Sequence, residues 1–278
     1  MASTRLGEER RLTQETLGYW TPERMASAIP AGITDPGPEL ALDRGLLQPL
    51  PGKFTTTRIV DPAADVTHRK AGKLFFTLDG EDFQASACAV NLEGILTAAH
   101  CLYSTKTAKY LENGMYMPGY QAGISKLGKF PLKDKPFVPD SWKSSGKRAW
   151  DYGFSKVARG GPDNDSVLGY VTGIFTVSVN LGKQGWDTLG YPAEPVPDYN
   201  FDGEYMWSCL GAYVGEDIPG VMRKEGNLTK GSSGGPWLIP KTHYVNGVQS
   251  ANNPKYPGQN FSPYFDDAVL ELYKKAFL

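Results

Sequence analysis

The 278 residues include only three cysteines and three histidines, carry a net charge of −1 from 29 Lys+Arg against 30 Asp+Glu, and contain no long apolar run. Each shortage excludes something. No stretch approaches the ~20 apolar residues that cross a bilayer, and the start Met1-Ala2-Ser3-Thr4-Arg5 leads into charge without the apolar segment of an export signal. Balanced charge without a basic block lacks the electrostatic footprint of a nucleic-acid or anionic-membrane binder, so neither partner is expected. No Cys/His set has zinc spacing, no run has EF-hand spacing and no glycine-rich loop opens a helix, so no metal and no cofactor are expected. What the chain has in quantity is glycine and proline, 32 and 21 residues. Its length fits roughly two domains of ~150 residues or one large all-β domain.

Residues 4–28 are polar and helix-friendly, and Thr21-Pro22-Glu23-Arg24-Met25 reads as an N-cap, a first-position proline and an acidic first turn. From Pro30 to Gly52 five prolines and four glycines interrupt any helix or ladder, which reads as a tether. Residues 1–52 are therefore set apart as an N-terminal extension, and the main domain is placed at 53–278. Its texture is short β-branched and aromatic runs between turn residues, at 73–77, 94–97, 151–154, 173–179 and 244–248, which argues for a sandwich or barrels. Ser262-Pro263, the acids Asp266 and Asp267, the spacing of Val269, Leu270 and Tyr273, and Lys274-Lys275 predict a closing helix over 262–277.

Three segments carry chemistry in combination. Ile95-Leu96-Thr97-Ala98-Ala99-His100-Cys101 is an apolar strand that breaks into a histidine. Trp150-Asp151-Tyr152-Gly153-Phe154 sets one carboxylate among aromatics. Gly231-Ser232-Ser233-Gly234-Gly235-Pro236 surrounds serines with almost no bulk. A serine hydroxyl needs a base to take its proton, and that base needs an acceptor on its other nitrogen to hold one tautomer. Glycines beside the serine let backbone amides approach a developing oxyanion. Each segment alone has a bland reading: a core histidine, a turn carboxylate, a flexible loop.

Together they resemble the signature motifs of the trypsin/chymotrypsin-like serine proteases, in the order His…Asp…Ser. An α/β-hydrolase would need Ser…Asp…His, and only His243 follows Ser233. The resemblance spans about residues 54–278 and implies an all-β fold of two six-stranded barrels. It further implies catalytic His100, Asp151 and Ser233, an oxyanion hole from the amides of Gly231 and Ser233, and a disulfide between Cys88 and Cys101. That disulfide would point to an oxidising compartment, hence a secreted protein. Cys209 is left as a buried thiol. Protein or peptide substrates and a monomer are the family's defaults.

The chain departs from trypsin at two places. Ser232 stands where trypsin-like enzymes carry the Asp that pairs with a new amino terminus, although Arg58-Ile59-Val60 resembles an activation junction. Asn227 stands at the pocket floor, which argues against preference for Arg or Lys. Leu189-Gly190-Tyr191-Pro192 and Gly247-Val248-Gln249-Ser250 look closest to the microbial glutamyl-endopeptidase-like branch, with Gln249 where that branch has a histidine. Asn227, Leu228, Thr229, Lys230, Gln249 and Ser250 are the expected substrate-binding residues, for an acidic or polar side chain before the cut bond. Two alternatives stay open: an inactive binding protein on the same scaffold, and a zymogen held latent by residues 1–52.

Overall fold

The turn Asp79-Gly80 shows how local chemistry starts the architecture. Both residues are left-handed, with φ of 55° and 87°, as a two-residue hairpin turn requires and as Asp-Gly tolerates best. The flanking strands Ala71–Leu78 and Glu81–Asn91 pair antiparallel from Leu78↔Glu81 to Ala71↔Cys88. The computed structural model describes residues 2–34, 54–252 and 255–278. The tether expected over residues 30–52 lies largely outside these.

From that hairpin the first barrel closes. Glu81–Asn91 is followed round the wall by Ala71–Leu78, Glu112–Pro118, Phe130–Phe137, Gly153–Val157 and Gly94–Thr97, which pairs back onto Glu81–Asn91. Successive side chains point to opposite faces of a strand. Ala85, Ala87 and Ala89 accordingly face an interior filled by Leu74, Phe76, Ile95, Tyr116 and Phe130. Cys88 and Val90 face outward into a second core with Leu189, Tyr191, Val248, Phe265 and Val269. The outer face of the barrel wall is thus also buried, against the second half of the chain.

That second half is two sheets. One runs Thr176–Val177, Tyr244–Val248, Pro236–Leu238, Trp186–Gly190, Trp207–Gly211 and Thr55–Arg58; the other runs Tyr213–Glu216, Val221–Glu225, Gln259–Pro263, Ala251–Asn252 and Ile33–Thr34. Backbone bonds from Glu225 N to Ala212 O (3.0 Å) and from Ser250 N to Phe261 O (2.9 Å) join them. Of the segment 173–179 only Thr176–Val177 is strand, because a short helix, Leu168–Thr172, runs into it and stops at Gly173 with φ of 70°.

Three sequence expectations need correction. The closing helix is Asp267–Phe277, capped by the Asp266 carboxylate accepting from Ala268 N, while Ser262 and Pro263 finish a strand paired with Met222 and Val221. Cys88 and Cys101 form no disulfide; both are buried free thiols, as is Cys209. The pleat explains this, since Cys101 sits with the barrel interior and Cys88 on the opposite face of the wall. Finally, the N-terminal segment, set apart from the main domain on sequence, packs into its core. Thr21 caps Pro22–Ser27 as expected, yet Trp20 and Met25 are buried in the core between the halves, and Trp20 Nε1 donates to Asn113 O (2.6 Å).

Candidate active site

His100 and Asp151 leave adjacent strands at the same end. Thr97 and Gly153 are direct partners in the ladder; the chain after Thr97 turns through a single helical turn, Ala99–Cys101, and the chain before Gly153 through another, Arg148–Trp150. This register brings the side chains together. His100 Nδ1 lies 2.8 Å from Asp151 Oδ2, and the His100 backbone N–H donates to Asp151 Oδ1 at 2.9 Å. Ser250 Oγ adds a bond to Asp151 Oδ2 at 2.6 Å, so a carboxylate that is 0% exposed has three donors. Burial alone would lower the His100 pKa, but the Asp151 charge and hydrogen bond outweigh it and hold it well above the ordinary value. His100 Nε2 is itself buried and has no hydrogen-bond partner among the described residues.

The serine loop is folded by its glycines. Gly231 and Gly234 have φ of 89° and 80°, and a β-carbon on Gly231 would lie 2.5 Å from Tyr191 O. Ser233 is 3% exposed. Ser86, which the sequence reading passed over, holds this loop against the first barrel: its N–H donates to Ser233 O (2.8 Å), and its hydroxyl donates to Gly231 O (2.9 Å) and accepts from Tyr191 N (3.0 Å). A lone polar residue inside the apolar run Ala85-Ser86-Ala87 was the available signal. Ser232 Oγ donates to Thr229 O.

Beside the serine is a recess lined by Thr229, Lys230, Gln249, Ser250, Ala251 and Asn252. Asn227 and Leu228, expected there, are elsewhere. Asn227 Oδ1 accepts from Thr56 Oγ1 (2.6 Å), behind the pocket, and Leu228 packs with Phe201 and Cys209. Asn252, which no sequence signal singled out, lines the recess, and Asn260 supports it from outside the lining. Asn252 Nδ2 donates to Leu228 O (3.0 Å), Asn260 Nδ2 to Leu228 O (2.8 Å) and to Asn252 Oδ1 (3.0 Å). Gln249 Nε2 reaches Ala251 O and Asn252 Oδ1, both at 3.3 Å. Lys230, the one charged residue among the described residues that line the recess, pairs with Glu194 (3.1 Å).

The recess is occupied by the chain itself. Gly32 and Ile33 also line it, and about 10 Å³ of space remains, on the order of one water molecule. Ile33 and Thr34 pair in parallel with Ala251 and Asn252, and Ile29 and Pro30 pair in parallel with Phe83 and Gln84. Between these pairings, Gly231 N donates to Ala31 O at 2.8 Å.

Solved structures share this architecture. Protease Anisep from Arthrobacter nicotinovorans superposes with a TM-score of 0.69 at 27% identity, covering 80% of this chain and 99% of that one. The thermostable serine protease AL20 from an extremophilic microorganism gives 0.68 at 25%, covering 76% and 98%. The fold is that of the trypsin-like serine proteases. A Glu endopeptidase shares it at a TM-score of 0.63 and 20% identity, over 80% of this chain and 95% of that one. No family model and no curated protein matches the sequence. Among the described residues no helix is long and apolar enough to cross a membrane, and no three His, Cys, Asp or Glu side chains gather as metal ligands.

Proposed function

We propose that the protein is a serine endopeptidase made as a latent precursor, working through an acyl-enzyme on Ser233. Ser233 Oγ attacks the peptide carbonyl carbon as its proton passes to His100 Nε2, and the amides of Gly231 and Ser233 receive the oxyanion. Collapse expels the amine, which takes that proton, and water then repeats the sequence to release the acid and restore the serine. The observation that carries the reading is the pair of hydrogen bonds from His100 Nδ1 and the His100 backbone N–H to the two Asp151 carboxylate oxygens, at 2.8 and 2.9 Å, which fixes the ring with its other nitrogen free to act as base.

The preference proposed is for an acidic or polar side chain before the cut bond. Hydroxyls and carboxamides from Thr229, Ser250, Gln249 and Asn252 line the recess, and its lysine is paired with Glu194. With its lysine already paired, a recess lined by neutral polar groups favours an uncharged polar side chain over a carboxylate. Residues 1–52 are proposed as the pro-segment and 53–278 as the catalytic domain. Secretion rests on the resemblance alone, because the disulfide that pointed to it is absent.

The test is mass spectrometry after a fluorophosphonate probe, on the chain as made and after limited proteolysis, with Ser233→Ala alongside. A single adduct that the mutant loses is expected after proteolysis. No adduct in either form would return the protein to the inactive-scaffold reading. Peptides differing only in Glu, Gln, Ala, Arg or Phe before the cut bond then rank the specificity.

A further inference from the structure

The inference here rests on the protease reading and concerns what fills the site before activation. The chain crosses its own cleft as an extended strap with three points of attachment. Ile29–Pro30 runs along Phe83–Gln84, Ile33–Thr34 runs along Ala251–Asn252, and Ala31 between them donates its N–H to Gln84 O and accepts from Gly231 N, both at 2.8 Å. A peptide carbonyl therefore sits on an amide assigned to the oxyanion.

The direction of the strap decides what it is. The recess beside Ser233 is the one assigned to the side chain ahead of the cut bond, so a substrate places the residues preceding its attacked carbonyl there. In the strap it is Gly32 and Ile33, the residues following the Ala31 carbonyl, that line the recess, while the preceding Ile29 and Pro30 lie on the far side against the first barrel. We propose that residues 28–34 are a built-in inhibitor bound with reversed chain polarity, an occupant that fills the cleft and is not cut. Cleavage of the Ala31–Gly32 bond would require the departing Gly32 nitrogen to take a proton from His100 Nε2. Reversed polarity sends that nitrogen into the recess on the acyl side, away from the leaving-group side where that proton is delivered.

The strap is fitted to its place. A β-carbon on Gly32 would lie 2.6 Å from Lys230 Cγ, so a side chain there would have to displace the Lys230 side chain from the pocket rim. Ile33 packs against the apolar group of Ala99, Leu102 and Trp142. Immediately upstream, Gln84 Nε2 donates to Ala28 O (2.7 Å), Arg24 pairs with Asp82 (2.8 Å), and Trp20 and Met25 are buried. This anchor keeps the strap at high effective concentration over the cleft.

The experiment uses the full chain. Hydrogen exchange in a Ser233→Ala background reads the strap without any reliance on catalysis, and fluorophosphonate labelling of chains that keep Ser233 reads access to the serine. The eviction variant is Gly32→Phe with Ile33→Glu, which leaves the anchor intact; Ala31→Pro, which removes the donor to Gln84 O, is a second. The expected result is protection of the amides of 31–34 in the parent, loss of it in both variants, and labelling ~100-fold faster, the factor set when roughly 1% of the parent is open. A synthetic peptide copying residues 28–34 then slows labelling of the evicted chains and is recovered whole. Unprotected strap amides in the parent, labelling that is measurable yet equal in parent and variants, or cutting of the peptide between its Ala and Gly would each overturn the proposal. If exchange behaves as stated but no chain reacts with the probe or cuts any peptide, the reversed occupant stands and the protease reading is what fails.

Discussion

Replacing Gly234 by alanine isolates how tightly the serine loop is pressed against the first barrel, because Gly80 supplies a matched control. Both glycines are left-handed, with φ of 80° and 87°, so alanine at either meets the same backbone penalty of ~1–2 kcal/mol. Their surroundings differ. A β-carbon on Gly80 has nothing within 4 Å, whereas on Gly234 it would lie 2.8 Å from Ala98 N and collide with Thr97 Oγ1 and Ser86 O. Those atoms belong to buried barrel strand and turn, and Thr97 Oγ1 already donates to Ser86 O (2.8 Å), so little can give way. Overpacking of this kind adds ~1–3 kcal/mol, which brings Gly234→Ala to about 2–5 kcal/mol against about 1–2 for Gly80→Ala. Urea unfolding followed by tryptophan fluorescence measures both. Equal losses at the two positions would show that the halves do not touch at Gly234 as described, and the account of how Ser233 is positioned would fall with them.

Other consequences concern protons and thiols. Against the lowering effect of burial, the pKa of His100 is raised first by the Asp151 charge, with Cys101 adding to it. In the activated enzyme the rise of activity with pH should centre above the ordinary histidine value of ~6.5, and Asp151→Asn should move it down while lowering kcat on the order of 10⁴-fold; an unmoved midpoint would sever the pair. The same ionised pair stabilises the fold fully below about pH 6.5, and that contribution is lost as pH climbs through the raised folded value. Lys73 is wholly buried, bonded to Gly203 O (2.8 Å) and Glu204 (3.2 Å), and its burial lowers its pKa to about 8. Between that value and ~10.5 the unfolded chain holds more protons than the folded one, so stability should increase by about 2 kcal/mol from pH 8 to 10. Lys73→Met should abolish the increase, and a parallel profile in the mutant would refute this. The three free thiols should leave the unfolding midpoint indifferent to dithiothreitol and react with iodoacetamide only in denaturant. A Cys88–Cys101 bond would instead show as a mass 2 Da lower and a loss of ~3 kcal/mol on reduction.

The site was more legible than its surroundings because its residues are constrained by chemistry that needs particular atoms in sequence-local turns. His100, Asp151 and Ser233 each sit in a short motif, and the strand register that unites His100 with Asp151, Thr97 opposite Gly153, follows from two apolar runs closing one barrel. The disulfide was misread because residue spacing does not fix a face: the pleat that points Ala87 inward points Cys88 outward. The pocket was half legible for a similar reason. Thr229, Lys230, Gln249 and Ser250 line it, but Asn227 turns back to Thr56, a partner 171 residues away, and Asn252 and Asn260 enter through tertiary hydrogen bonds that no local pattern announces. The strap was hidden by its prolines and glycines, which break helices and ladders alike; a pairing of two residues at a sheet edge needs neither long periodicity nor an amide at Pro30.

Ser232 bears on how the proposed latency would end. Where a carboxylate occupies that position, the site completes itself only when a new amino terminus arrives to pair with it. Here the Ser232 hydroxyl is spent on Thr229 O, and Gly231 N already points at a carbonyl, although the chain is continuous through Arg58 and Ile59. Those two residues are held in place: Thr55–Arg58 is an edge strand along Trp207–Leu210, the Arg58 guanidinium lies 3.4 Å over the Tyr205 ring, and Ile59 N donates to Met206 O (2.9 Å). A cut after Arg58 would free an amine with no carboxylate at 232 to receive it. What such a cut accomplishes is to untie the strap from the catalytic half, so activity should follow departure of the strap and not the identity of the terminus. Arg58→Gln therefore leaves labelling of the evicted chain unchanged, while in the parent it blocks only activation by proteases that cut after arginine. If the evicted chain stays unreactive until a terminus is generated at Ile59, the site is completed by that terminus after all, and latency by occupancy is the wrong mechanism.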